Sequence, residues 1–372
     1  MYPLDQPRVL VMQSLRGFSR TLVVSAAVLL VACSSGDDTV VENTAELVIR
    51  GAGATFPEPL YQKWIDSYDE QTPNVAFEYA GVGSGKGIAM FLAGKDPAGE
   101  VYGGAEIDYG ASDAAMSDAD LEQVGERGAV MVPTTGGMVV LAYNLPGVDT
   151  LMLSREAIEG IFSGEIKHWQ DERITATNPD IDFPRRAVTP VVRRDSSGTT
   201  YIITSHFAEA FPAWRDGPGV GKQIDWPGST MAVNYNEGVA QRVNITEGGI
   251  GYMEFQFAKR LGLPMATLQN KTGGYMAPTA AAGSAALGSA PEVPEDLRVF
   301  VPDPPDADAY PIVGYTWLLL YQQYPHAEKR DALKDAVLWS LTQGQPIAED
   351  MGYIPLPADM VRLARAKVEA IQ

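Results

Sequence analysis

Residues 191–200, Val-Val-Arg-Arg-Asp-Ser-Ser-Gly-Thr-Thr, bring a fixed cation, a carboxylate, hydroxyls and a glycine into one short run. This is the donor set of an anion site. Residues 187–192 read as a mostly apolar strand and 201–211 as an amphipathic helix, so Ser197, Gly198 and Thr199 fall on the helix's first turn. Backbone N–H groups there have no intrahelical acceptor, the helix dipole favours negative charge, and glycine lets a ligand approach the backbone. Arg193 supplies a planar, permanently charged fork suited to a tetrahedral oxyanion, and Asp195, two residues on, can hold that fork in place. The same residues also read as an ordinary helix cap, Asp195 or Ser196, beside solvated arginines.

Three further strand-turn-helix starts repeat this chemistry. Residues 47–50 form a strand, and the small-residue turn 51–57 runs into a helix bearing Leu60, Trp64, Ile65 and Tyr68 at helical spacing, with Thr55 at the cap and Pro57 just inside. The N–H groups of Thr55 and Phe56 then point at a ligand. Residues 75–79 form the next strand, and 80–87 (Ala-Gly-Val-Gly-Ser-Gly-Lys-Gly) lead into a helix over 88–92. That turn nearly spells a P-loop, but Ala80 stands where a glycine is needed and Gly87 where the magnesium-binding hydroxyl belongs, so it reads as a phosphate-sized nest with Ser84 as donor. Residues 107–116 give a fourth strand and turn, with Ser117 and Asp118 capping the next helix. Asp113 is the odd residue of the set. A carboxylate beside an anion repels it unless one of the two carries a proton; the other reading is a turn or cap residue.

The elements that must position these residues belong to an ordinary globular chain. Its 372 residues are 45% hydrophobic and 20% charged, enough for two domains. The formal net charge of −19 argues against nucleic acid as a partner. Residues 16–32 pair a basic start with an apolar span too short to cross a bilayer comfortably, and they read as an export signal, with Met1 or Met12 as the start. The run Leu-Val-Ala-Cys at 30–33 resembles the bacterial lipobox, and Cys33 is the sole cysteine, so it reads as a lipid attachment site. Residues 33–46 are polar and acidic, a flexible tether. The histidines 168, 206 and 326 are scattered and there is no second cysteine, so no metal or other cofactor is expected. Residues 131–145 form a long apolar strand. Residues 155–162, 208–214, 331–342 and 358–371 are helical, and 273–294, rich in Ala, Gly, Ser and Pro, read as a loop-like excursion.

Four segments together resemble one family. Residues 51–57 (Gly-Ala-Gly-Ala-Thr-Phe-Pro), 81–84 (Gly-Val-Gly-Ser), 109–114 (Tyr-Gly-Ala-Ser-Asp-Ala) and the spacing of Arg193, Asp195, Ser197, Gly198 and Thr199 are similar to the phosphate-binding protein (PstS-like) of bacterial phosphate ABC transporters. Residues 249–254, 309–312 and 352–357 match its later signatures. The resemblance implies an α/β type II periplasmic-binding-protein fold, with two α/β domains of mixed sheet joined by two crossing strands near 133–137 and 310–312, and the ligand in the cleft between them. The implied domains are 47–134 plus 309–372, and 135–308. The implied phosphate contacts are Thr55, Phe56 through its N–H, Ser84, Asp113, Arg193, Ser197, Gly198 and Thr199, with Asp195 in support; Arg193 rather than Arg194 has the family's spacing. Where the family often carries paired serines, this chain has Ser84-Gly85-Lys86, one hydroxyl fewer and one cation more. The implied function is capture of inorganic phosphate by hinge closure and delivery to membrane permease subunits, by a monomeric, lipid-anchored protein on the periplasmic or outer face of a membrane, without catalysis. The alternatives are a phosphoester hydrolase with Ser84 or Ser197 as nucleophile, or capture of another oxyanion such as sulfate or molybdate; Ser84 and Ser197 lack a histidine base in their motifs.

Overall fold

Long buried runs fix the centre of the molecule. The computed structural model describes residues 47–290 and 292–372, which belong to one compact unit; the proposed export signal, tether and Cys33 lie outside them. The strands are β1 (Leu47–Gly53), β2 (Val75–Gly81), β3 (Tyr109–Ser112), β4 (Ala129–Tyr143), β5 (Met152–Leu153), β6 (Thr189–Arg193), β7 (Met231–Val233), β8 (Gly249–Glu254), β9 (Thr267–Gln269), β10 (Tyr275–Met276) and β11 (Val313–Tyr321). Every residue of β11 and all but the first of β4 are buried, the near-continuous apolar reading expected of strands covered on both faces. They pair antiparallel at the middle of an eight-stranded sheet ordered β2-β1-β3-β11-β4-β8-β6-β7. A second, three-stranded sheet is ordered β10-β9-β5.

The helices are α1 (Glu58–Asp69), α2 (Ser84–Ala93), α3 (Asp118–Val124), α4 (Arg155–Phe162), α5 (Glu172–Thr175), α6 (Gly198–Ala210), α7 (Pro212–Asp216), α8 (Tyr235–Ile245), α9 (Phe255–Arg260), α10 (Ala280–Gly288), α11 (Ala327–Ser340), α12 (Gly344–Met351) and α13 (Ala358–Glu369). None is long and apolar enough to cross a membrane among the described residues. The chain has a mixed α/β fold. Its two flanks share one plan. β2, β1 and β3 are mutually parallel, as are β7, β6 and β8, and each triplet reads second-first-third from the sheet's edge inward. β4 serves both flanks: it pairs with β11 through Met138 and with β8 from Val139 onward. Parallel strands connected through helices put all their carboxyl ends, and the loops that follow, on one edge. Because β8 runs antiparallel to β4 with Glu254 opposite Val139, the carboxyl ends of the two triplets face each other across the β4 crossing.

Three details differ from the sequence reading. Residues 273–294 are not loop-like: Thr279 caps α10, and β10 adds to β9. Ala and Gly gave no apolar stripe, yet they suit a helix that packs closely, and Leu287 fills the space that Gly136 leaves on β4. Helix α2 starts at Ser84, with Gly83 at φ +88° as its cap, so Gly85 and Gly87 lie inside the helix rather than in a nest before it. Pro57, not Thr55, caps α1, and Thr55 stands in the turn ahead of it, its carbonyl accepting from Glu58 N at 3.3 Å.

Candidate functional site

Each of the six facing strand ends delivers one buried polar group or more. Thr55 and Phe56 follow β1, Ser84 opens α2 after β2, and Asp113 follows β3. From the other flank, Arg193 ends β6, Asp195 to Thr199 lead into α6, Asn236 sits on the first turn of α8 after β7, and Glu254 ends β8. The sequence-predicted residues Thr55, Phe56, Ser84, Asp113, Arg193, Ser197, Gly198 and Thr199 are all buried, and the hydrogen bonds below bring them together.

Arg193 is 3% exposed and Asp113 2%. The guanidinium of Arg193 donates from Nε to Asp195 Oδ1 at 2.7 Å and from Nη2 to Oδ2 at 2.5 Å, a bidentate fork, while Nη1 donates to Thr199 Oγ1 at 3.4 Å. Tyr235 N also donates to Asp195 Oδ1, at 3.0 Å. Asp195 is therefore held by several donors and fixes the plane of the arginine. Ser197 caps α6 by accepting from Thr200 N at 3.1 Å, so the cap of the first reading and the site are the same device. The N–H groups of Phe56, Gly198 and Thr199 have no acceptor among the described residues. Buried donors are rarely left so, and three in one place mark a site for an acceptor-rich ligand.

Asp113 is bonded on both oxygens: Thr316 Oγ1 donates to Oδ1 at 2.8 Å and Ser84 Oγ to Oδ2 at 3.3 Å, while Asp113 N donates back to Ser84 Oγ at 3.1 Å. Burial pushes its carboxyl up to about 7, against the opposing pull of the Thr316 hydroxyl, the Arg193 charge and the Ser84 hydroxyl. The carboxyl thus exchanges its proton near neutrality.

The two flanks touch here. A Cβ on Gly198 would lie 2.4 Å from Ser84 Oγ and 2.6 Å from Asp113 Oδ2, and one on Gly85 would lie 2.0 Å from Ser196 Oγ. Gly85 N donates to Ser196 O at 2.9 Å. A second serine after Ser84 would collide with Ser196, which explains the glycine in this chain. Lys86 pairs with Glu100 at 2.5 Å, at the surface.

Sequence reasoning missed four buried residues. Asn236 donates to Thr55 and Thr199, Glu254 and Tyr353 meet at 3.3 Å, Tyr353 OH donates to Phe56 O at 2.9 Å, and Thr316 holds Asp113. A fifth strand-turn-helix start at 231–245 was the available signal for Asn236; Glu254 and Tyr353 stand in stretches noted only as family landmarks.

The profile described as PBP superfamily domain matches residues 34–341. The chain is 36% identical to the phosphate-binding protein PstS of Methanocaldococcus jannaschii, covering 89% of this chain and 88% of that protein. It is 33% identical to the phosphate-binding protein PstS of Pasteurella multocida, covering 87% and 90%. Its fold matches a high-affinity periplasmic phosphate-binding protein (PfluDING) solved with phosphate bound, with a TM-score of 0.71 at 25% identity over 86% of this chain and 93% of that one. It also matches the phosphate-binding protein from Stenotrophomonas maltophilia, with a TM-score of 0.69 at 20% identity over 86% and 93%. The profile match over most of the chain, with relatives at 33% and 36% identity along most of their length, makes this chain a member of the PBP superfamily and of its PstS phosphate-binding family.

Proposed function

We propose that this protein captures inorganic phosphate reversibly and hands it to the membrane permease subunits of a phosphate ABC transporter, by closure of two lobes around the anion. The lobes are residues 47–134 plus 309–372 and residues 135–308, with β4 near 133–137 and the segment 310–312 that leads into β11 as the crossings. Arg193, the N–H groups of Phe56, Gly198 and Thr199, and the hydroxyls of Thr55, Ser84, Ser197 and Thr199 surround the oxygens, and Asp195 steadies the arginine. Asp113 accepts the proton that monohydrogen phosphate carries at neutral pH. The observation that carries this reading is the carboxyl of Asp113 buried among donors that otherwise all favour an anion. Sulfate, which has no proton to offer, would set lone pairs against that carboxylate.

Capture proceeds without turnover. Ser197 Oγ accepts from a backbone N–H and has no base beside it, and the one carboxyl beside Ser84 Oγ is that of Asp113, which this reading reserves for the phosphate proton. The protein works as a monomer, exported and held by lipid on Cys33 at the periplasmic or outer face of the membrane.

Calorimetric titration of the tether-less protein tests the reading: phosphate binds and sulfate does not. Phosphate at 100 times its dissociation constant raises stability by about 2.7 kcal/mol, visible as a higher melting temperature. No shift with phosphate would refute it. Gly198→Ala puts a methyl group where Ser84 and Asp113 stand. It is expected to hold the lobes apart and weaken phosphate binding roughly 100-fold or more, the scale on which a small misplacement acts in a fitted site, with a larger radius of gyration in the phosphate-bound protein; a variant that binds and compacts like the parent would contradict closure at this contact.

A further inference from the structure

Asn236 is fully buried, and its carboxamide is bonded at both ends. Oδ1 accepts from Glu254 N at 3.1 Å, while Nδ2 donates to Thr55 Oγ1 at 2.9 Å and to Thr199 Oγ1 at 3.2 Å. A backbone N–H can only donate, so Glu254 fixes which end of the amide carries the oxygen and turns both N–H bonds toward the threonines. Each threonine oxygen then accepts twice. Thr55 Oγ1 takes Asn236 Nδ2 and Asn236 N, the latter at 3.4 Å, and Thr199 Oγ1 takes Asn236 Nδ2 and Arg193 Nη1. A hydroxyl offers two lone pairs and one hydrogen. With the lone pairs occupied, only the hydrogens are left to give, and neither has an acceptor among the described residues.

We propose that Asn236 is a positioning residue that commits the hydroxyls of Thr55 and Thr199 to donation and so sets phosphate affinity from behind the site. Left free, either hydroxyl could turn its hydrogen toward a protein acceptor and present lone pairs to the anion. One amide reaching from α8 to both the turn after β1 and the start of α6 aims a donor from each flank at the same point. The inference rests on the phosphate-capture reading.

The experiment is a double-mutant cycle read as phosphate affinity by calorimetry: Asn236→Ala, the pair Thr55→Val with Thr199→Val, and all three together. Asn236→Ala is expected to weaken binding roughly 10- to 100-fold, and to cost little more once the threonines are valines, because its effect passes through their hydroxyls. Equal losses in both backgrounds, or no loss in the first, would overturn the proposal. Asn236→Asp keeps the shape and guards against misfolding of the alanine variant. Its carboxylate draws in the two hydroxyl hydrogens, so it is expected to bind more weakly than Asn236→Ala, and parent-like affinity in that variant would equally overturn it. A parent that takes up no phosphate would bring down the capture reading itself, a result distinct from an additive cycle on a parent that binds.

Discussion

Arg193→Met is expected to lower phosphate affinity by at least about 10³-fold, to the edge of detection by calorimetry. The side chain is buried, and its removal takes away the charge opposite the anion while leaving the Asp195 carboxylate facing it. Breaking one member of a hydrogen-bonded, desolvated charge pair costs about 3–5 kcal/mol, where an exposed pair costs 0–1. The anion-free protein should lose stability too, since Asp195 keeps Tyr235 N as a donor but loses both arms of the fork. Arg193→Lys separates charge from geometry. Lysine retains the charge without the planar fork, so it should fall between the two, and binding within tenfold of the parent would show that the fork is dispensable.

The second large effect is on selectivity. Asp113→Asn is expected to let sulfate compete with phosphate, because the amide can donate to a deprotonated oxyanion where the carboxylate repels it. The carboxyl repels sulfate only where it is ionised, so the parent's discrimination should grow by about tenfold for each pH unit above 7, and that growth should vanish in the variant. Competition titrations measure it, and a variant that still excludes sulfate as strongly as the parent would rule out the proton test. The same substitution carries a pH signature. The Asp113 carboxyl titrates at about 7 in the folded protein against 3.8 ordinarily, so between those values the folded state holds a proton the unfolded chain has lost. Parent stability attributable to this group therefore falls as pH rises from about 4 to about 7 and is level above, by an amount on the order of a few kcal/mol. Around it stand Arg193, Ser84, Thr316 and, further off, Tyr61 and Glu254, whose own carboxyl burial pushes well above its ordinary range. Those neighbours are common to parent and variant. The difference between the melting curves of anion-free parent and Asp113→Asn, taken at pH 4.5 and pH 8, reports Asp113 together with its coupling to Glu254.

The residues that face the anion were legible because each follows a strand long enough to show a pattern and stands in a run of small residues that has little other use. Thr55, Ser84, Asp113 and Arg193 all share that context. Asn236 does not. Its strand, β7, is three residues at the sheet's edge with Met231 exposed, and Tyr235 enters α8 at φ +66°, a backbone state that sequence pattern does not reveal for a tyrosine. Thr316 and Tyr353 were hidden for another reason. They reach the site from the central strand and from the turn after α12, and their distance in sequence from Asp113 and Phe56 is closed only by tertiary packing. Helix α10 escaped because its alanines carry helix without periodicity and its glycines read as loop. The matched second-first-third order of the two flanks left no trace as a sequence repeat, since the two sets of turns use different residues for corresponding places: Ser84 against Asn236, Asp113 against Glu254.

The strand that closes the great sheet is among the last parts of the polypeptide to be made. β11 slots between β3 and β4, so until residue 313 emerges both of those neighbours present bare edges, and the flank that carries Asp113 lacks the threonine that holds its carboxyl. A nascent chain can therefore assemble β6 to β8 early, whereas the other flank waits for β11. A chain stopped short of β11 therefore emerges with two adhesive borders and no working pocket.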